Sequence, residues 1–196
     1  VGVFTNNQVK ADAQLQLSLF CVMTPLGQDH PQFFTATILE WKKLLAPDKY
    51  KNIIVESLRF LVKEKRVVVY AFVIMPNHLH LIWQVQAAHK REDVQRDFLK
   101  FTAQKIKYDL VANHPAVLAL FQVGAKDRQY QFWERNPLST DLYSHKTFMQ
   151  KLDYIHNNPV QPHWNLTALP EDYKYSSGRF YETGVDAWGF LTHYAD

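Results

Sequence analysis

The sequence predicts an α+β domain built on an antiparallel sheet, and two observations lead to that class. Segments rich in β-branched and aromatic residues alternate with segments of helical periodicity, in the order strand, helix, strand, strand, helix, strand, helix. Two consecutive strands meet at Pro76-Asn77, a sequence typical of a tight turn. This order indicates a ferredoxin-like sheet with helices on one face, followed by one more helix near the C-terminus.

The first strand and the first helix follow a turn-rich junction at residues 27–31. Residues 33–39 are mostly β-branched or aromatic and predict a strand. Pro47-Asp48 then opens a helix that runs to about Lys63. We expect its buried side to consist of Ile53, Ile54, Leu58, Phe60 and Leu61. Residues 67–75 are almost continuously apolar, which is typical of a central strand.

The strand after the turn carries two histidines one residue apart. Because successive side chains of a strand point to opposite faces, His78 and His80 share one face. One face is mostly polar and the other entirely apolar: His78, His80, Ile82, Gln84 and Gln86 against Leu79, Leu81, Trp83 and Val85. The apolar set predicts the core side. We therefore expect the histidines on the opposite, partly open side of the sheet.

A longer helix with a basic stripe follows the hairpin and ends at His114-Pro115. Its predicted core positions recur at helical spacing: Leu99, Ala103, Ile106 and Leu110. A second stripe is polar and basic: Arg96, Lys100, Gln104 and Lys107. Between positions 89 and 107 there are six Lys or Arg and three Asp or Glu, so the net charge of +3 is concentrated here. The pattern fits either a solvated helix face or a surface for nucleic-acid phosphates.

The last long helix is predicted to begin after Ser144, as an N-cap, and to stop at Pro159. Before it, short strands are expected at residues 121–123 and 130–133, on either side of a turn at Gly124. One line of the helix is apolar and predicts its buried stripe: Phe148, Leu152 and Ile155. A second line is polar: Thr147, Lys151, Tyr154 and Asn158.

Composition bounds the class of protein. The 196 residues, 47% of them apolar, suffice for one domain with a sizeable core. We divide the chain into an N-terminal extension at 1–32, a domain at 33–181 and a tail at 182–196. A single cysteine, Cys21, excludes an intramolecular disulfide framework. No apolar run is long enough to span a membrane, and residues 15–26 lack an arginine-rich lead-in, so we expect a cytoplasmic protein without a signal peptide.

The histidine pair and the polar line of the last helix are the candidates for chemistry. Two convergent imidazoles on a rigid strand are a metal-site geometry, although such a pair also arises by chance. With the Asn158 carbonyl they would offer a divalent cation three neutral ligands and leave positions for phosphate oxygens. Tyr154 is either a nucleophile or a surface tyrosine. Lys151 either assists that phenol, holds a phosphate or is solvent-exposed.

These residues resemble the motifs of the single-tyrosine HUH transposases, in particular the REP-associated tyrosine transposases. The family's histidine–hydrophobe–histidine pattern falls on residues 78–80, preceded by Met-Pro-Asn. Its nucleophile falls on Tyr154 and its polar ligand, one turn later, on Asn158. Supporting matches are Phe-Trp-Glu-Arg, which ends at Arg135, and Tyr-Lys-Tyr-Ser-Ser at residues 173–177. The resemblance covers residues 33–181, most of the chain.

The resemblance implies a metal-dependent single-strand DNA endonuclease and strand transferase. Tyr154 would form a 5′-phosphotyrosine link, with Mg²⁺ or Mn²⁺ held by His78, His80 and Asn158. The substrate would be hairpin-forming DNA. Its phosphates would be contacted by basic residues: Lys151, Arg96, Lys100, Lys107 and Arg135. Relatives include monomers and swapped dimers, so a homodimer is one expected arrangement.

Two other functions are compatible with the sequence. One is a non-catalytic DNA- or RNA-binding protein on the same scaffold, which would retain recognition without cleavage. The other is a zinc hydrolase that uses His78, His80 and a third histidine, although no His-Glu-x-x-His pattern occurs in the chain. The presence of all four proposed active-site residues favours the strand-transferring enzyme.

Overall fold

The computed structural model of the chain describes residues 30–86 and 88–196. Cys21 and residues 15–26, with most of the expected N-terminal extension, lie outside these ranges. The strands are β1 Gln32–Thr37, β2 Val67–Ile74, β3 His78–Val85, β4 Gln122–Ala125, β5 Arg128–Tyr130 and β6 Leu138–Asp141. The helices are α1 Asp48–Lys63, α2 Arg91–Asn113, α3 Pro115–Ala119, α4 His145–Asn157 and α5 Gly178–Thr183, with short 3₁₀ turns at Leu39–Trp41 and Pro170–Asp172.

Four strands form one sheet in the order β2-β3-β1-β6, with every neighbouring pair antiparallel. Together with α1, which connects β1 to β2, and α2, which follows β3, this order is that of a ferredoxin-like sheet. The predicted α+β class is therefore confirmed. In the register of the β1–β3 pair, Thr35 lies opposite His80.

The fourth strand of the sheet lies later in the chain than expected. A separate two-stranded hairpin, β4-β5, forms near the predicted strands, but Gly124 lies within β4, so the predicted turn is wrong: the chain reverses between Ala125 and Arg128. The sheet is instead completed by β6, whose sequence Leu-Ser-Thr-Asp has one apolar residue and partly exposed side chains. Such a short edge strand carries little hydrophobic pattern, so pairing with β1 decides its conformation.

One side of the sheet, which we call the core face, is covered by α1 and α2. It carries the apolar alternation of β3 that the sequence predicted, with Leu79, Leu81 and Trp83 fully buried. Residues of both helices complete this cluster, among them Ile54, Leu58, Phe98, Ile106 and Leu110. Burial of this apolar surface is the main contribution of the core face to stability.

The predicted helix stripes are displaced by about one residue. In α1, Phe60 is 53% exposed and lies near the Arg66 guanidinium, so its predicted burial is wrong. The buried side follows Tyr50, Ile54, Leu58 and Leu61, which recur at a closer match to the helical period. In α2, Leu99 and Ala103 are half-buried because the stripe is centred on Val94, Phe98, Thr102, Ile106 and Leu110.

The opposite side of the sheet, which we call the histidine face, is covered by α4. The helix packs on it through Phe148, Leu152 and Ile155, as the helical spacing predicted. The expectation of a partly open face is wrong, because His78 and His80 are both buried. The period of a single strand cannot show that a distant helix folds back over it.

The C-terminal segment packs along the outer strand of the sheet. Leu191 forms a parallel bridge with Val69, and Ser176 an antiparallel bridge with Val73. Phe190, in the segment predicted as a tail, is buried in the main core. The segment thereby covers the free edge of β2, which would otherwise present unpaired backbone groups. No helix in the described ranges combines the length and the apolar character needed to cross a bilayer.

Candidate active site on the histidine face

The two histidines form a buried, neutral pair. Alternation along β3 directs both to the histidine face, where the imidazole centroids are 4.8 Å apart. Each side chain is only 5% exposed. Burial, reinforced by nearby positive charge, lowers the pKa of His78 to about 4 and that of His80 to about 3. Both imidazoles are therefore uncharged near neutral pH, the form that ligates metals.

One nitrogen of each imidazole is held by a neighbouring side chain. The Thr35 hydroxyl lies 2.8 Å from His80 Nδ1, across the β1–β3 register. Asn77 Oδ1 lies 2.7 Å from His78 Nδ1. Because Asn77 Nδ2 donates to the Trp41 carbonyl (3.1 Å), the amide oxygen must face His78 and accept from Nδ1–H. His78 is thereby fixed in the tautomer that leaves the Nε2 lone pair free for a ligand.

A buried nitrogen without a partner marks the centre of the site. Among the described residues, His80 Nε2 is one of three buried side-chain polar atoms that lack a hydrogen bond. Leaving such a group unpaired costs free energy, so it calls for an explanation. Two neutral imidazoles with their Nδ1 atoms engaged are a donor set that fits a divalent transition metal. The residues present are therefore compatible with the cation that the resemblance implies.

Tyr154 and Lys151 meet the histidine pair from α4. The Tyr154 ring is 49% exposed and lies edge-on to His80, with centroids 5.1 Å apart. Lys151, one turn earlier, places its ammonium 4.5 Å from the Phe33 ring and 5.7 Å from the Tyr154 ring. Its charge is one of the causes that lower the pKa of His80. The phenol, the ammonium and the imidazoles thus share one rim of the histidine face.

The position of α4 is fixed at both ends. At the start, the Ser144 hydroxyl accepts from the Thr147 backbone N–H (3.1 Å), the cap that the sequence predicted. Toward the end, His156 Nε2 lies 2.9 Å from the Ser177 hydroxyl, which also accepts from the Phe72 backbone N–H. The His156–Ser177 and Ser177–Phe72 bonds connect the end of the helix to β2, and so place Tyr154 against the sheet.

Asn158, the predicted third ligand, is buried at the C-terminal end of α4, one turn after Tyr154. Its role as a ligand stays a prediction. Within residues 30–86 and 88–196, no group of three or more His, Cys, Asp and Glu is arranged to hold a metal ion. A zinc site built from the pair and a third histidine therefore has no support in this part of the chain.

The structure separates three of the five predicted DNA contacts from the histidine face. Lys151 belongs to the site, whereas Arg96, Lys100 and Lys107 lie on α2, which packs on the core face. Arg96 is ion-paired with Asp93 and Asp97, and the Lys107 ammonium lies over the Tyr130 ring (5.2 Å). Arg135 follows β5 and is exposed, 4.0 Å from Asp127. Their contacts with DNA stay predictions.

Sequence reasoning missed the residues that surround the pair. The Phe33 ring stacks on His80 at 5.2 Å, and the Trp41 and Trp164 rings lie 6.0 and 5.8 Å from His78. Thr35 could have been found from the alternation of β1, once its register with β3 was known. Trp41 and Trp164 carry no local signal, because they reach the site through loops.

The fold is similar to those of solved structures. A REP-associated tyrosine transposase bound to a REP hairpin superposes with a TM-score of 0.59 and 18% identity, over 89% of this chain and 94% of the transposase. A Deinococcus radiodurans R1 protein described as a transposase gives a TM-score of 0.42 and 16% identity, over 69% and 97% of the two chains. No protein-family model matches the sequence, and neither does any curated protein. The chain thus has the α+β fold of the hairpin-bound transposase.

Proposed function

We propose that the protein is a transposase-like, metal-dependent endonuclease and strand transferase for hairpin-forming single-stranded DNA. One observation carries the proposal: the Tyr154 phenol lies edge-on to His80, a buried neutral imidazole whose Nε2 has no partner among the described residues. A nucleophile beside an imidazole nitrogen that can ligate a metal is the arrangement that a metal-assisted phosphoryl transfer needs. The fold shared with a hairpin-bound transposase supports the choice of DNA as substrate.

The cation would be held by His78, His80 and Asn158. When bound, it would act as a Lewis acid on the phosphodiester and offset the charge that develops in the transition state. Imidazole donors suit Mn²⁺ somewhat better than Mg²⁺, so we expect tighter binding of Mn²⁺. Thr35 and Asn77 would hold the two rings in orientation through their Nδ1 atoms.

The covalent step would proceed on the Tyr154 phenol. The phenol loses its proton as its oxygen attacks phosphorus. The bond from phosphorus to the 3′ oxygen breaks, and that oxygen leaves with the electron pair and takes up a proton, so one proton is released and one is taken up. The products are a 5′-phosphotyrosine and a 3′-hydroxyl. The Lys151 ammonium, close to the phenol ring, would offset the negative charge of the phosphate that the phenol attacks. Attack by a second 3′-hydroxyl on the same phosphorus would release Tyr154 and join the strands.

The substrate would approach the rim formed by the exposed Tyr154 and the half-buried Lys151. Lys151 is the predicted basic residue placed to contact the phosphate at the site. The exposed Lys100, with Lys107 and Arg96, would contact only DNA that continues around the domain, and the exposed Arg135 is a further predicted phosphate contact. Because Arg96 already pairs with two aspartates, it has less charge to offer a phosphate than Lys100. Binding through these residues would weaken steeply as the salt concentration rises.

The experiment is to incubate the protein with Mn²⁺ and labelled hairpin oligonucleotides taken from the DNA that flanks its gene. We expect a covalent adduct that survives boiling in detergent and is absent with EDTA. Tyr154→Phe should abolish the adduct, whereas Tyr108→Phe, which alters an exposed tyrosine on α2, should retain it. Hairpin binding without an adduct would instead indicate the non-catalytic nucleic-acid-binding protein. An adduct that persists in Tyr154→Phe would exclude this mechanism.

A further inference from the structure

An exposed tryptophan lies at the edge of the candidate active site. Trp41 belongs to the 3₁₀ turn Leu39–Trp41, just after β1 and its continuation at Ile38. Its side chain is 62% exposed, yet its ring centroid is 6.0 Å from that of His78. A single exposed aromatic ring needs no explanation by itself, but this one lies beside an imidazole of the candidate site, where a ligand could cover it.

The backbone of this turn is held in a conformation that its residues disfavour. Glu40 and Trp41 have φ angles of 54° and 57°, in the left-handed region that side-chain-bearing residues avoid. Hydrogen bonds hold them there: the Glu40 N–H donates to Glu134 Oε1 (2.8 Å) and the Trp41 N–H to the Ile38 carbonyl (2.9 Å). One of these bonds comes from a distant segment and the other lies within the turn itself. Two consecutive strained residues held in this way are typical of a functional site.

A single amide links this turn to the histidine pair. Asn77 donates from Nδ2 to the Trp41 carbonyl and accepts at Oδ1 from His78 Nδ1–H. The same side chain therefore sets the tautomer of His78 and the position of the Trp41 backbone. The exposed indole is thereby held in a fixed relation to the nitrogen that would ligate the cation.

We propose that Trp41 stacks on an unpaired base of single-stranded DNA next to the scissile phosphate, an inference that rests on the proposed function. Every base has a π face, so an exposed indole binds single strands with little regard to sequence. The half-buried Trp164, whose ring centroid is 5.8 Å from that of His78, extends the aromatic surface around the same imidazole. Stacking here would hold the nucleotide beside the scissile bond and so orient the phosphorus toward Tyr154.

The test measures binding of a DNA stem-loop with single-stranded arms, with Mn²⁺ present and Tyr154→Phe in every variant to prevent cleavage. Because stacking tolerates any base, an arbitrary arm sequence serves as the probe. We expect Trp41→Ala to weaken binding by roughly 5- to 150-fold, the range typical of a lost stacking aromatic. Trp41→Phe should keep most of the affinity, because it retains an aromatic face. Phe60→Ala, at a similarly exposed aromatic on α1, should bind normally.

The stacked nucleotide is located by replacing one arm base at a time with an abasic site. At one position the replacement should weaken binding to the parent protein but not weaken Trp41→Ala further, because the base and the indole lose the same contact. 2-Aminopurine at that position should be quenched by the parent protein and remain bright with Trp41→Ala. Unchanged binding by Trp41→Ala, or additive losses at every arm position, would overturn the inference. Adduct formation by the chain with wild-type Tyr154 is scored separately, so failure of the stacking inference is distinct from failure of the proposed function.

Discussion

The two faces of strand β3 are equally buried but differ in what burial does to their side chains. On the core face, Leu81 and Trp83 remove apolar surface from water and so stabilise the fold. On the histidine face, burial deprives His78 and His80 of hydration and holds their pKa values far below the ordinary range. Alternate residues of one strand therefore differ in effect: the core-face residues stabilise the fold, whereas the buried histidines, the proposed metal ligands, reduce stability through lost hydration.

Each face also carries a buried nitrogen without a hydrogen bond among the described residues, and the two nitrogens differ in kind. On the core face it is Trp83 Nε1, an indole N–H that can only donate. On the histidine face it is His80 Nε2, which in a neutral ring can offer a lone pair. Only the second could bind a cation. Of the two unpaired nitrogens, only His80 Nε2 therefore fits the proposed metal site.

The largest expected difference between the two faces comes from removing His80 Nε2. We expect His80→Ala to weaken Mn²⁺ binding by more than about 100-fold, because it deletes a proposed ligand. The free energy of unfolding of the metal-free protein should change by less than about 1 kcal/mol, since lost packing is offset by removal of an unpaired buried nitrogen. Isothermal titration calorimetry and urea unfolding measure the two quantities. A large loss of stability with unchanged Mn²⁺ affinity would contradict the proposal, because His80 would then stabilise the fold and not bind the metal.

The converse change is made one residue further along the same strand. Leu81→Ala should lower the free energy of unfolding by about 2–5 kcal/mol, because it opens a cavity in the core face. Mn²⁺ affinity, measured where the variant is still folded, should remain that of the parent protein. Urea unfolding and calorimetry again provide the readouts. If Leu81→Ala also lost metal affinity, the two faces would not act independently.

A smaller effect is expected from the residue that supports His80 across the register. Thr35→Val keeps the shape of the side chain but removes the hydroxyl from His80 Nδ1, and should weaken Mn²⁺ binding by about 10–100-fold. Thr35→Ser keeps the hydroxyl and serves as the matched control, with affinity close to that of the parent protein. Equal affinities in the valine and serine variants would show that the hydroxyl does not orient the ring.

The smallest effect concerns the histidine that anchors α4. Burial lowers the pKa of His156 to about 4, below the ordinary value of about 6.5. Between pH 4 and 6.5, His156 is protonated in the unfolded chain but neutral in the folded protein. Its contribution to the free energy of unfolding is therefore fully present above pH 6.5 and is lost as the pH falls toward 4. The contribution is about 1 kcal/mol per pH unit. In His156→Asn the pH dependence of urea unfolding should be shallower by that amount, and an unchanged slope would contradict the assignment.

Much of the fold could be predicted because its signals are local. The boundaries of α1, the N-cap at Ser144 and the buried line of Phe148, Leu152 and Ile155 follow from spacing and capping within one segment. Strand β6 could not be predicted in the same way, since it has one apolar residue and exists through its pairing with β1. The exposure of Phe60, by contrast, follows from the helical period, because Phe60 lies off the buried line of Ile54, Leu58 and Leu61.

In the candidate site, too, only the features with local sequence signals could be predicted. The shared side of His78 and His80 follows from strand alternation, and the common line of Lys151 and Tyr154 follows from helical spacing. Their meeting does not, because it depends on α4 crossing the face that the strand pattern marks as open. The Thr35–His80 bond depends on the register between β1 and β3, which a single strand does not specify.

The position of β1 between β3 and β6 has a consequence for the order of events during synthesis. A nascent chain that has just emerged through β3 can already pair Thr35 with His80, but the sheet stays one strand short until Leu138–Asp141 leave the ribosome. The proposed nucleophile follows on the next helix. Prematurely terminated products that end before α4 would carry the imidazoles without the phenol, so the proposed mechanism predicts that such products cannot cleave DNA.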